Sequence, residues 1–277
     1  MVSGFFCTSA MQLTLLEFLR KKSITLLLPC FVWGIIDACF RFQSWATLAE
    51  DILLPTHWPF WFFKTLFIVQ LVAYISQRMA LWLCKKELWA LTFAILISLA
   101  ISIIPYLGMA RIMIPMFWIG YLIKRYYKQF VQYHRPIAIL ASILFITIYG
   151  LWYWGIHGDF QLTELVVKIC KRVLAVTGSI AIISAMHELK TKHKYISFVG
   201  TSTAGIYILQ TFILEKGAHF LFLKYIDLSN FPLSLNYLLM LAISLMLVVV
   251  ITWMYKQLCR SKYIALIFFG HEQIITN

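Results

Sequence analysis

Charged side chains inside otherwise apolar stretches are the residues of this sequence most able to do chemistry. Lys64 lies in the segment Trp61-Phe62-Phe63-Lys64-Thr65-Leu66, and Arg111 stands in an equally apolar stretch. Two acids, Asp37 and Glu215, have similar neighbours. A charge in hydrocarbon is costly unless it faces protein or water, so these residues are candidates for ligand binding or ion pairing. For Lys64 the alternative is that its long stem carries the ammonium group to an interface.

A second group of candidates is basic and clustered. Arg20, Lys21 and Lys22 precede an apolar run, and four more clusters follow along the chain: Arg78, Lys85 and Lys86; Lys124, Arg125, Lys128 and Arg135; Lys190, Lys192 and Lys194; Lys256, Arg260 and Lys262. Lys and Arg are good ligands for phosphate and carboxylate groups. Short basic loops also stay in the cytoplasm and so orient a membrane protein. The two roles are compatible.

Motifs for soluble chemistry are absent from the sequence. It contains no GxGxxG, P-loop, GxSxG or HExxH motif, and its seven His residues show no metal-ligand spacing. The six Cys residues are scattered and include no CxxC pair. The sequence therefore predicts neither a zinc site nor a disulfide framework, and no bound cofactor.

The composition indicates an integral membrane protein. Hydrophobic residues make up 62% of the 277 positions and charged residues only 13%, with a mean hydropathy of +0.83. A water-soluble fold would lack the polar surface to cover itself. Most of the 24 Lys and Arg residues lie in the five clusters, so the net charge of +13 is attributed to orientation and to anionic lipid headgroups. The bilayer is the expected partner, and nucleic acid is not, because no recognition motif accompanies the charge.

Apolar runs alternate with the basic clusters in a pattern that predicts about eight membrane-spanning helices. The predicted spans are 24–41, 60–78, 88–104, 109–123, 136–154, 165–187, 202–223 and 234–258. Most approach or exceed the roughly 17 to 25 residues of a membrane helix, and 109–123 is shorter. The alternation places both chain ends in the cytoplasm. We predict an all-α, polytopic helical bundle that forms a single domain over residues 1–277.

Four segments resemble signatures of one known family. They are Glu17 to Lys22 with Leu28 to Gly34, Pro59 to Leu66, Arg111 with Ile114 to Leu122, and Gly200 to Gln210. They are similar, in this order, to the basic entry to the third helix, the "PLWFL" helix start, the "R…PFFLLGYL" segment and the "G..S..IYLLH" signature of the acyltransferase 3 family. This resemblance to a family of integral membrane acyltransferases covers nearly the whole chain.

The resemblance implies an enzyme that transfers acyl groups other than amino-acyl groups. In the family an acyl group, usually acetyl, passes from a cytoplasmic coenzyme A thioester to a hydroxyl of a cell-surface or lipid-linked glycan. Acetyl-CoA would then be the acyl donor and a glycan the acceptor. The implied location is a bacterial-type inner membrane, crossed many times, with both termini in the cytoplasm.

The resemblance also implies roles for six residues of this chain. Arg20, Lys21 and Lys22 would bind the phosphates of coenzyme A on the cytoplasmic side. Lys64, Arg111 and Gln210 would line the chamber between the helices. Gln210 stands where many family members have His, and Gln can donate and accept hydrogen bonds but cannot act as a base near neutral pH.

The start of the chain departs from the family. Ser3-Gly4-Phe5-Phe6 resembles the "SGFF" that closes the second of ten core helices. We therefore expect that the first helix and most of the second are missing, and with them the family's presumed catalytic His, so that no catalytic residue is assigned. The chain would be a partial domain that works with a partner or is inactive. Arg260 and His271 have the family's Arg–His separation, which we attribute to chance because they lie in the C-terminal tail.

A non-catalytic polytopic membrane protein is the alternative. A transporter, or an assembly component of surface polysaccharide export, would use the same polar groups to line a substrate path. The sequence shows no inverted repeat and no matching pair of Gly- or Pro-broken helices, which counts against transport. Both interpretations stay open at this point.

Overall fold

The computed structural model describes residues 3–4, 7, 10–41, 61–84, 86–104, 109–157, 163–188, 203–212 and 233–270. Over these residues the chain is helical and has no strand. The helices are α1 (Leu15–Lys22), α2 (Leu28–Arg41), α3 (Trp61–Leu83), α4 (Glu87–Ile101), α5 (Ala110–Arg125), α6 (Tyr127–Gln132), α7 (His134–His157), α8 (Glu164–Glu188), α9 (Thr203–Phe212), α10 (Leu233–Leu258) and α11 (Lys262–Phe269). The predicted all-α fold class is confirmed.

Every one of the predicted spans contains a helix. Four helical segments within the described ranges are long and apolar enough to cross a membrane: Leu15–Cys39, Trp61–Leu83, His134–Trp154 and Leu241–Leu258. Helices α4 and α5 are shorter, with 15 and 16 residues, and α8 carries Lys168, Lys171 and Arg172 near its start. The second half of the predicted span 202–223 lies outside the described residues. These helices confirm a polytopic membrane protein.

The first span begins earlier than predicted. Thr14 caps α1 with a capping box, in which the Glu17 backbone N–H donates to Thr14 Oγ1 at 3.4 Å and the Thr14 N–H donates to Glu17 Oε2 at 3.1 Å. A π-helical turn, Ser23–Leu27, then joins α1 to α2. The basic cluster Arg20 to Lys22 therefore lies inside a continuous helix and not in a loop before it.

The chain divides into two compact units. Unit 1 consists of Met1–Leu13, Val69–Pro105 and Ala110–Thr191, and unit 2 consists of Thr14–Ile68, Tyr106–Met109 and Lys192–Asn277. A single domain over residues 1–277 stays a prediction.

Unit 1 contains a long antiparallel pair, α7 and α8, and the neighbouring helices α4 and α5. In the helix pair, Gly178 lies against the ring of Phe145. Near the start of the chain, Gly4 packs directly on the backbone of α5, where an added Cβ would meet the Phe117 carbonyl. The absence of a side chain at Gly4 permits this close approach.

Unit 2 is built around an apolar core to which α2, α3, α9, α10 and α11 contribute, and its large side chains include Trp33, Phe63, Tyr255 and Phe269. Helix α11 is held by a hydrogen bond from Trp33 Nε1 to the Phe268 carbonyl at 2.9 Å. Gly270 ends α11 in the left-handed region, with φ of 66°. A Cβ at Gly270 would lie 2.6 Å from the Thr25 carbonyl oxygen, so this C-terminal cap requires glycine.

Candidate functional site

The three basic residues predicted to bind the acyl donor lie at the end of α1 in unit 2. Arg20 and Lys21 are exposed, whereas Lys22 is half-buried. Consecutive helical residues project in different directions, so the three side chains do not share one face. Lys22 follows the fully buried Phe18 by one turn and so lies on the core side of the helix. Arg20 and Lys21 are therefore the two cations of this cluster that are most accessible to a ligand.

One face of α2 buries a carboxyl group. Cys30, Trp33 and Asp37 follow one another at helical spacing, and all three are buried, with Asp37 only 5% exposed. An acid in an apolar helix is expected to face protein or water and not lipid. The buried position of Asp37 fits that expectation, so Asp37 stays a candidate residue.

Lys64 lies in the first turn of α3, where it is half-buried. Its neighbour Phe63 is buried in the core of unit 2 together with Cys30 and Trp33 of α2. The same end of α3 packs against α9, because the Tyr207 ring lies 5.4 Å from that of Phe62 and 5.8 Å from that of Phe63. Lys64 thus lies where α2, α3 and α9 come together.

Gln210 lies on α9, three residues after Tyr207, and is exposed. Its neighbour Leu209 is buried in the core of unit 2. The structure therefore brings the basic cluster, Lys64 and Gln210 into one unit. Arg111 is the second residue of α5 and belongs to unit 1, and its side chain lies outside what the structure describes.

A pair of histidines in unit 1 was not found from the sequence. The rings of His134 and His187 lie 4.8 Å apart in an edge-to-face arrangement, and the Tyr127 hydroxyl is 3.4 Å from His187 Nδ1. His134 Nδ1 lies 2.6 Å from the carbonyl oxygen of Val131, which can only accept, so Nδ1 carries the proton. The described part of the chain holds no group of three or more metal-ligating side chains.

The hairpin of α7 and α8 explains why these histidines meet. His134 begins α7, which ends at His157, and His187 is the last residue but one of α8, which begins at Glu164. Each histidine therefore lies 23 residues from the connected end of its helix. Two antiparallel helices bring such residues to the same level. In the sequence, the two histidines lie at nearly equal distances from the predicted connection between the two helices, and this symmetry could have indicated that they meet. Metal-ligand spacing is a short-range pattern and does not reveal it.

Membrane-crossing helices that enclose a buried acid and a half-buried lysine define an integral membrane protein with polar groups inside its helical bundle. The chain matches the model of the acyltransferase 3 family, described as an acyltransferase domain, over residues 1–255. Because this match covers most of the 277 residues, the chain belongs to that family of membrane acyltransferases, which act on an acyl and an acceptor substrate. Searches of curated proteins and of solved structures return no match.

Helix α11 lies beyond the matched residues, since it begins at Lys262. It nevertheless contributes Ala265 and Phe269 to the core of unit 2. The C-terminal helix is therefore part of the packed structure of this chain even though the match to the family ends before it.

Proposed function

We propose that this protein transfers an acetyl group from acetyl-CoA to a hydroxyl of a cell-surface or lipid-linked glycan. Membership of the family supports acyl transfer in general. The observation that carries the finer proposal is the arrangement within unit 2, where the accessible cations Arg20 and Lys21 belong to the same unit as the half-buried Lys64. A phosphate-bearing thioester requires cations at its nucleotide end and a hydrogen-bond donor at its carbonyl end.

The reaction assigns a role to each of these groups. The acceptor hydroxyl oxygen attacks the thioester carbonyl carbon and gives its proton to a base. The carbon–sulfur bond then breaks, and the leaving thiolate of coenzyme A takes that proton from the base. Arg20 and Lys21 would bind the phosphates, and the Lys64 ammonium would stabilise the negative charge that develops on the carbonyl oxygen. Gln210 would hold the acceptor hydroxyl by a hydrogen bond. The roles of Lys22 in donor binding and of Arg111 in lining the chamber stay predictions from the sequence.

The location proposed for this reaction is a bacterial-type inner membrane with both chain ends in the cytoplasm. The basic clusters support this orientation, because short loops rich in Lys and Arg remain cytoplasmic. Arg20 and Lys21 would then face the compartment that supplies coenzyme A thioesters. The glycan would enter the chamber from the membrane or from its outer side.

The decisive experiment compares glycans from cells with and without the gene. We expect that deletion removes a base-labile acetyl ester from the isolated glycan, measured by NMR spectroscopy and mass spectrometry. Complementation with the double variant Arg20→Gln, Lys21→Gln should lower acetylation at least about tenfold, because charge-assisted hydrogen bonds to phosphate are lost. The matched control is Arg260→Gln, which removes an exposed arginine outside the residues matched by the family.

Protein amount in the membrane fraction is measured for every variant, so that loss of protein is not read as loss of activity. Unchanged acetylation after deletion of an expressed gene would refute the proposal. A change in the amount of surface polysaccharide without a change in its acetyl content would instead support the non-catalytic alternative.

A further inference from the structure

A polar pocket of about 430 Å³ lies in unit 1. Its volume falls within the roughly 300–1,000 Å³ of small-molecule sites. Six of the lining side chains carry polar groups: Gln12, Gln77, Glu87, Tyr121, Lys124 and Arg125. Ligand pockets are usually lined mainly by apolar groups. A lining of this kind in a membrane protein indicates a charged or strongly polar ligand.

The pocket lies where three helices of unit 1 end. Helix α3 ends at Leu83, α4 begins at Glu87 and α5 ends at Arg125. The ion pair between Arg125 Nη2 and Glu87 Oε1, 2.6 Å apart, joins the end of α5 to the start of α4. The basic clusters at these ends predict that this side is cytoplasmic. Both lipid headgroups and soluble phosphates are available there.

One wall of the pocket is held in place by hydrogen bonds. The carbonyl of Leu13 accepts from the Tyr74 hydroxyl at 2.8 Å and from Arg78 Nη2 at 2.5 Å. Arg78 Nε also donates to the Tyr74 hydroxyl at 3.1 Å. These bonds tie the turn that carries Gln12 to α3, the helix that carries Gln77. The wall is therefore organised before any ligand binds.

The charges of the pocket favour an anion. Burial acts to lower the pKa of Arg125, but the hydrogen bond and the charge of Glu87, together with a hydrogen bond to Tyr121, outweigh it and raise the pKa overall. The guanidinium therefore stays positive, and Lys124 adds an exposed second cation. Glu87 is the one acid among the described residues of the lining, and its side chain is 75% exposed. Two cations against one carboxylate leave a net positive charge.

Gln77 indicates that the ligand also carries a hydrogen-bond donor. Its Oε1 atom is buried and has no hydrogen-bond partner among the described residues. A buried acceptor without a partner is unfavourable. A hydroxyl or amino group on a ligand would satisfy it.

We propose that this pocket binds a phosphate ester that also carries a hydroxyl or amino group. The phosphate would contact Lys124 and the guanidinium of Arg125, and the hydroxyl or amino group would donate to Gln77 Oε1. Two sources supply this chemistry: an anionic phospholipid headgroup and a soluble nucleotide. The proposal does not depend on the acetyl group or the glycan acceptor proposed above.

The test measures binding to the purified full-length chain in an uncharged detergent. The probes are ADP and short-chain phosphatidylglycerol, and the phosphate-free controls are adenosine and short-chain diacylglycerol. Lys124→Gln should weaken binding about tenfold, because one charge-assisted contact is lost. Glu87→Gln should tighten binding, because it removes a negative charge from the lining and releases donors of Arg125. A merely structural ion pair would not produce tighter binding.

Lys128→Gln is the matched control, because Lys128 is an exposed lysine that does not line the pocket. Lys124 is also exposed, so its replacement should leave folding intact. The proposal is supported if one phosphate probe binds more tightly than the other and if Lys124→Gln weakens and Glu87→Gln tightens its binding. The preferred probe then shows whether the ligand is a lipid headgroup or a nucleotide. Binding no stronger than that of the phosphate-free controls would overturn it, and so would equal losses in Lys124→Gln and Lys128→Gln.

Discussion

At the scale of single residues, polar groups in unit 2 are distributed between packed and accessible positions. Asp37 is buried with the core face of α2, and Lys64 is half-buried in the first turn of α3. Gln210, by contrast, is exposed beside the buried Leu209. A residue that packs against its neighbours is costly to replace whatever its function. Replacement of an exposed residue affects function with little effect on stability. Gln210 therefore gives the clearest test of the chamber.

We expect Gln210→Ala to lower acyl transfer about tenfold while changing the free energy of unfolding by less than about 0.5 kcal/mol. The reason is that its amide would hold the acceptor hydroxyl but contributes little to packing. The neighbouring Leu209→Ala is the contrasting variant and should destabilise the protein by about 2–5 kcal/mol. Acetylation assays and thermal unfolding in detergent measure the two effects. Full activity of Gln210→Ala would remove Gln210 from the site.

At the scale of helices, the entry helix and the C-terminal helix are coupled. The π-helical turn Ser23–Leu27 follows the basic cluster directly, and Gly270 at the end of α11 lies against the carbonyls of Ile24 and Thr25 in that turn. Such π-helical turns are frequent at functional sites. Helix α11 therefore supports the segment that presents Arg20 and Lys21, although it lies beyond the residues matched by the family.

Two helical glycines test the packing between helices. At Gly205 on α9 an added Cβ would meet the Tyr255 ring and lie 3.1 Å from Phe269, whereas at Gly150 on α7 it would meet nothing within 4 Å. We expect Gly205→Ala to destabilise unit 2 by about 1–3 kcal/mol through overpacking. Gly150→Ala should be neutral or stabilising by up to about 1 kcal/mol, because Ala favours the helix. Thermal unfolding of both variants is the measurement, and equal shifts would contradict the packing of α9 on α10.

At the scale of the whole molecule, the orientation in the membrane decides which substrates reach which residues. Helix α7 has 24 residues and therefore extends about 36 Å, enough to cross the hydrocarbon core of about 30 Å. Its first end follows the cluster Lys124 to Arg135, and its second end precedes the connection to α8. The charge pattern predicts that the first end is cytoplasmic and the second is not.

Labelling of single cysteines tests this orientation. Gln129 and Thr163 are exposed and lie near opposite ends of α7. In a background without the six native cysteines, a membrane-impermeant maleimide applied to spheroplasts should label Thr163→Cys. Gln129→Cys should react only after the membrane is permeabilised. The reverse pattern would invert the topology and would place Arg20 and Lys21 on the side without coenzyme A.

The sequence by itself determined the membrane class, the all-α fold, the approximate position of the described helices and the family. These properties follow from hydropathy, charge and short motifs, which are local along the chain and can be read in windows of about 20 residues. Even the early start of α1 was present in the sequence as the capping box Thr14-x-x-Glu17.

Only the tertiary structure decided which helices meet and which side chains face each other. The pairing of His134 with His187, the pocket at Arg125 and Glu87, and the docking of α11 on α2 all join residues that are distant along the chain. Helices such as α4 and α10 are apolar on most of their circumference, so they carry no stripe that would reveal their rotation or their partner. The rotation and the partner of each helix depend on close packing between side chains of different helices, and no single stretch of sequence contains this information.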